Sequence, residues 1–308
     1  MGQTLYWAMK YTGEFAALTT AVLWSFTSIF FTSAGRRIGS LHLNKFRIPF
    51  AAVFLAIMLL ITSGRLLPGG ISGQSYMYLI VSGIIGLSLG DLCLFSAFIS
   101  IGTRMTLLVF SVSPIITAVI AWFLIGETLG FYPIAGIVLT ISGIAWVTAE
   151  RQPVNNRSIQ SDGKKGFGIL MAVCGAAGQA IGLVLAKAGM AGTLDPLPAT
   201  FIQMIAATGA IWLIGMFRGD NIETIKKARD RRAMLLALGG SICGPFLGVW
   251  LSLVAIKYTA TGIAAAIMAT VPVLVIPLVI LIYHEKVTIR AVLGAVITTA
   301  GVALLFLT

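Results

Sequence analysis

One carboxylate stands inside an otherwise apolar run. Asp91 lies in SGIIGLSLGDLCLFSAFISIGT (82–103), three residues past that run's centre near Ser88, or about 4.5 Å along a helix rising 1.5 Å per residue. A carboxylate so deep in a bilayer costs on the order of 2.5–3.5 kcal/mol to insert, so its default reading is functional. Asp91 can bind a cationic group of a substrate or carry a coupling proton. The structural alternative is an acid that is protonated, or one that caps backbone and hydroxyl groups near Ser88 or Ser96. The other candidates for a binding cavity sit near the middles of apolar runs: Trp24 and Ser25, Gln179, Gln203 and Trp250. An amide or indole facing lipid leaves polar hydrogens unsatisfied, so these side chains point inward, to a ligand or to a neighbouring helix. Ser111 and Ser113 precede Pro114, and Thr270 precedes Pro272. Each proline frees a backbone carbonyl that a hydroxyl or a ligand can use.

Catalysis has little to work with. The chain holds two histidines, His42 and His284, and no acidic pair within an apolar run. Cys93, Cys174 and Cys243 lie far apart, without metal or disulfide spacing. No P-loop is present, so any transport would be driven by gradients or exchange. The expectation is no enzyme, no cofactor and no metal.

Composition sets these residues in a membrane. Of 308 residues, 58% are hydrophobic and 10% charged, against roughly 25% charged in soluble domains. Apolar runs of spanning length with at most one charge each predict ten helices, at 15–34, 46–62, 77–100, 104–124, 131–149, 166–186, 197–217, 233–256, 261–282 and 289–307. Alternating strand patterns are absent, which excludes a β-barrel. No cleavable signal pattern precedes the first run. The polar stretch ERQPVNNRSIQSDGKK reads as a linker, dividing the chain into 1–149, 150–165 and 166–308. Its Asn156-Arg157-Ser158 sequon reads as plain loop. Residues 218–232 (RGDNIETIKKARDRR) form a short surface helix in this reading.

The two halves repeat. A shift of 158 sets Gly86 on Gly244, Gly90 on Gly248, Pro114 on Pro272, Glu127 on Glu285, Gly136 on Gly294 and Gly143 on Gly301. Five spans per half is an odd number, so the halves sit upside down to one another, as in transporters built from inverted repeats. The glycines Gly83, Gly86 and Gly90, with Gly175, Gly178 and Gly182, read as close helix packing. Seventeen Lys and Arg fall in the loops 35–47, 101–104, 150–165, 218–232 and 283–290, against Lys10, Arg65, Lys187 and Lys257 on the other side. The positive-inside rule puts the basic loops in the cytoplasm and both termini outside. Arg36, Arg37, Lys45 and Arg47 read as a surface cluster for anionic lipid, with an anionic substrate vestibule as the sharper alternative. Arg47, Lys187 and Lys257 read as snorkelling cations. Glu127 and Glu285 read as caps or partners of neighbours such as Lys286.

This pattern resembles the EamA-type branch of the drug/metabolite transporter superfamily. The likeness is carried by the glycine-rich run 82–103, by SPIITAVIAWFLIGE (113–127) and by its echo ATVPVLVIPLVILIYHE (269–285). The resemblance implies an all-α membrane protein of ten transmembrane helices in two inverted five-helix repeats. It implies a secondary carrier, an exporter of a small metabolite such as an amino acid or related compound, alternating access around a central cavity. The family is drawn with both termini in the cytoplasm, against the basic-residue count here. Small multidrug-resistance proteins, distant relatives, carry a first-helix glutamate where Ser25 and Gln179 stand, and neither of these titrates. A lipid or lipid-linked-sugar flippase is the alternative, and a channel is disfavoured because charged rings are missing. The partners expected are a small-molecule substrate and anionic lipid at the cytoplasmic loops, with no nucleic acid. The assembly expected is a monomer or weak homodimer in the inner (plasma) membrane.

Overall fold

A computed structural model describes residues 11–148, 162–190, 194–275 and 288–306. Every regular element among them is helical, since only a helix satisfies its own backbone in a medium without water. The first half holds α1 (Thr12–Ile38), α2 (Ser40–Ser63), α3 (Gly73–Ser82), α4 (Asp91–Phe110), α5 (Ser113–Ile125) and α6 (Phe131–Thr148). The second holds α7 (Asp162–Met190), α8 (Pro196–Arg218), α9 (Asn221–Lys227), α10 (Arg231–Ser241), α11 (Val249–Tyr258), α12 (Thr261–Met268) and α13 (Ile289–Leu305). Among the described residues, eight helical stretches are long and apolar enough to cross a membrane. Two shorter ones, Thr261–Val275 and Val292–Leu305, fall where the ninth and tenth are expected. The surface helix expected in 218–232 is α9. Asn156, Arg157 and Ser158, with Glu285 and Lys286, lie outside the described residues.

Local chemistry sets the ends. Gly39, at φ 87°, is the single residue between α1 and α2; a side chain there would be strained in the left-handed region. Ser72 accepts the Ser75 N–H at 3.1 Å to start α3, and Asp230 accepts the Ala233 N–H at 3.0 Å to start α10. Two π-helical segments, Gly83–Gly90 and Ile242–Gly248, join α3 to α4 and α10 to α11. Their ends, Gly90 and Gly248, coincide under the shift of 158, so the halves share this widened turn.

Packing exchanges elements between halves. α1 runs along α10, the second π segment and α11, while α7, its counterpart, runs along α3, the first π segment and α4. α2 packs on α8 and α6 on α13, each helix against its own repeat partner, and α5 packs on α12, which begins the span equivalent to its own. On α6 and α13 the glycines meet crosswise. A Cβ added to Gly143 would stand 2.8 Å from the Gly294 carbonyl oxygen, and one on Gly136 3.1 Å from that of Gly301. Rising numbers on one helix meet falling numbers on the other, so these helices run antiparallel and the halves are inverted. A self-complementary surface around a two-fold axis has this pattern, residue i on j and j on i. The expected packing glycines do their work where α7 meets the third helix: Gly86 lies against Gly182, and Gly90 against Gly178 and Gly175.

Candidate functional site

The exchanged packing encloses a cavity of about 260 Å³. Its wall repeats across the halves: Gly86 and Gly244, Asp91 and Val249, Leu94 and Ser252, Ser111 and Ala269, Pro114 and Pro272 all line it. The cavity therefore sits on the pseudo-two-fold axis. Asp91 breaks the symmetry, since Val249 holds the equivalent place.

Asp91, Trp24, Gln179, Gln203 and Ser111 all line this cavity. Asp91 opens α4 where the first π segment ends. Gln203, 3% exposed, donates from Nε2 to Ser82 Oγ at 2.5 Å, and Ser82 donates to the Gly182 carbonyl at 2.6 Å. Its Oε1 is buried without a partner among the described residues. Ser111 Oγ donates to the Leu108 carbonyl at 2.7 Å. Ser25 and Trp250 are not on the wall. Ser25 is 1% exposed and donates to the Ala21 carbonyl at 2.8 Å within α1. Trp250, half-buried, follows the wall residue Val249 by one position, about 100° further round the helix.

Arg47 is the wall residue the sequence reading placed elsewhere. It does not snorkel: its Nη2 pairs with Asp91 Oδ2, and its Nε donates to Asn44 Oδ1 at 2.6 Å. The guanidinium carbon lies 5.7 Å from the Phe31 ring centre and 5.6 Å from that of Phe95. Asp91 is thus not the sole charge in a span. Nor do Arg36, Arg37, Lys45 and Arg47 form one lipid-facing cluster. Lys45 is buried, paired with Asp220 and donating to Asn221 Oδ1 at 3.0 Å. Arg37 pairs with Asp230 at 2.8 Å. The Ala233 N–H and the Arg37 guanidinium hold the Asp230 carboxyl below the usual carboxylate range.

A second polar layer ties the other end of the bundle. Lys187 Nζ lies 2.5 Å from Glu127 Oε1 and donates to the Thr259 carbonyl at 2.7 Å. Glu127 accepts the Thr261 N–H at 2.8 Å and hydroxyl at 3.0 Å, and the Thr259 hydroxyl donates to Glu14 Oε1 at 2.7 Å. Lys257 pairs with Asp195 at 3.1 Å. Lys187 and Lys257 therefore have carboxylate partners, and Glu127 is held from the second half by Lys187. The cavity wall reaches Ala186, the residue before Lys187. Among the described residues no group of three or more His, Cys, Asp or Glu could hold a metal.

Antiparallel helical halves around a central cavity define a membrane protein of the inverted-repeat transporter type. The model of the EamA-like transporter family matches the chain twice, over residues 11–149 and 166–307, and the chain belongs to that family. A solved structure titled only "Crystal structure of protein" superposes with a TM-score of 0.75 at 17% identity, covering 96% of each chain. That likeness shows a shared fold. No curated protein matches the chain.

Proposed function

We propose that the chain is a ten-span secondary carrier that moves a small metabolite, an amino acid or related compound, by alternating access to the central cavity. The observation that carries this reading is the cavity's place on the axis between two inverted halves, walled equally by both. In inverted-repeat carriers a substrate site at the repeat interface is exposed in turn as the halves rock. The layer at Glu127, Lys187, Thr259 and Thr261 closes the end next to Ala186, and its release opens that end. Asp91, Trp24, Gln179, Gln203 and Ser111 contact substrate, and Asp91 holds a cationic group of the substrate or, where the substrate has none, carries the coupling proton. The excess of basic loops sets the Arg37–Asp230 end in the cytoplasm and both termini outside. Export is the direction that the family likeness favours.

A cavity near 260 Å³ supports a small solute over a lipid-linked sugar, which exceeds it several times in size. The test is counterflow in proteoliposomes with a panel of amino acids, organic acids, amines and sugars. Saturable exchange of one class, lost in Ala269→Trp, which fills the wall, supports the carrier. Lipid scrambling without solute exchange would overturn it for the flippase.

A further inference from the structure

Among the described residues lining the cavity, Arg47 is the one cation and Asp91 the one anion. Both are largely buried, with side chains 13% and 15% exposed. The guanidinium presents five donors in a planar fork that matches a carboxylate through two parallel hydrogen bonds. Here Nε serves Asn44 and Nη2 serves Asp91, while Nη1 is used by neither. Asn44, 0% exposed, and the rings of Phe31 and Phe95 hold the fork in place.

Charge balance selects the ligand. A cation arriving at Asp91 would displace Arg47, and a guanidinium cannot shed its proton, so an unpaired charge would be left at a largely buried position. An anion arriving at Arg47 displaces Asp91, and a carboxylate can be neutralised by taking up a proton. The pair therefore yields to anions and resists cations. We propose that the cavity binds a small carboxylate on Arg47, with Asp91 as the internal counter-ion that the ligand displaces. This rests on the carrier reading and names its cargo. The ligand's body meets Phe31, Leu107, Phe110 and Leu183, and the unpartnered Gln203 Oε1 accepts from any donor it carries.

For a simple acid, one proton passes from water to an Asp91 oxygen as the ligand carboxylate takes its place on Arg47, and the cavity's charge is unchanged. For an amino acid the ligand's own ammonium compensates Asp91, and no proton is needed. The helices packed on α4 bring no competing titratable group to Asp91 among the described side chains. On α2, His42 and Lys45 are held by Thr224, Glu223 and Asp220. On α7, Lys187 is held by Glu127, and Lys165 and Cys174 are exposed. On α6, Tyr132 is exposed, and on α4 itself stands Cys93.

The test uses four probes with one phenyl body, 3-phenylpropionate, phenylalanine, phenethylamine and 3-phenylpropionamide, in thermal-shift titrations of the purified full chain. The two carboxylates stabilise it and the amine and amide do not. Between about pH 8 and 6, where 3-phenylpropionate stays ionised, its affinity rises about tenfold per unit fall in pH, whereas that of phenylalanine does not. Asp91→Asn binds 3-phenylpropionate more tightly and loses the pH dependence. The double variant Arg47→Gln/Asp91→Asn, which leaves no orphan charge to unfold it, binds neither carboxylate. Stabilisation by the amine instead, or carboxylate binding that survives in the double variant, overturns the assignment. So does silence from all four probes; saturable vesicle exchange of another solute would then leave the carrier reading standing without it.

Discussion

Lys187 on α7 and Glu127 in the turn after α5 approach to 2.5 Å, joining the two halves at one end of the bundle. Arg37 and Asp230 join them at the other. α1 spans the distance, from Glu14 on Thr259 to Arg37 on Asp230, some 35 Å at helical rise. Cross-half ion pairs thus sit at both ends of the bundle, with the cavity between them.

Removing one partner of the Lys187–Glu127 pair strands the other. The side chains keep 25% and 16% exposure, so Lys187→Met should cost about 2 kcal/mol, less than the loss of a fully buried pair. Adding Glu127→Gln should recover part of it, and thermal unfolding of the four-member cycle in detergent reads the coupling. Strict additivity would mean that the pair does not hold this end.

Two glycines separate packing from propensity. Gly143→Ala drives a Cβ to 2.8 Å from the Gly294 carbonyl oxygen, and overpacking of this kind costs about 1–3 kcal/mol. Gly209, in α8, has nothing within 4 Å of its Cβ position. Gly209→Ala should therefore stabilise by about 0.5–1 kcal/mol, the helix-propensity gain. Unfolding midpoints of opposite sign are the expected result.

Asp230 supplies a pH dependence. Its carboxyl is held below the unfolded value, first by the Ala233 N–H and then by Arg37. Stability from this group is present above the unfolded carboxylate pKa and is lost as pH falls through the depressed folded value. Asp230→Asn should remove that acid limb, leaving a flatter stability profile below about pH 4. An unchanged profile would assign acid sensitivity to other carboxylates.

Ala269 is half-buried on the cavity wall. Ala269→Leu should lower exchange by an order of magnitude or more while moving the unfolding midpoint by only a few degrees. Loss of fold and flux together would instead make Ala269 a packing residue.

Sequence periodicity located depth well and rotation poorly. Trp24 lines the cavity whereas Ser25, one residue on, bonds back into its own helix; Trp250 misses a wall that Val249 forms. Each pair lies at one depth but about 100° apart, and in a helix apolar all round no pattern marks the inner face. Repeats were legible because the glycines that must approach, Gly136, Gly143, Gly294 and Gly301, recur in register. The partners of Arg47 and Lys187 were not, because Asp91 lies 44 residues away on another helix and Glu127 in the opposite half. The useful signal for Arg47 was the one acid deep within an apolar run, since a carboxylate at that depth calls for a cation and Arg47 begins the preceding apolar run.

The most direct test of alternating access is to lock the Lys187–Glu127 end. With Cys93, Cys174 and Cys243 replaced by Ala, Glu127→Cys/Lys187→Cys is joined by a reducible bifunctional thiol reagent in proteoliposomes. The account predicts that saturable counterflow stops on cross-linking and returns on reduction, while binding in the cavity persists. Counterflow that continues unchanged through the cross-link would contradict it.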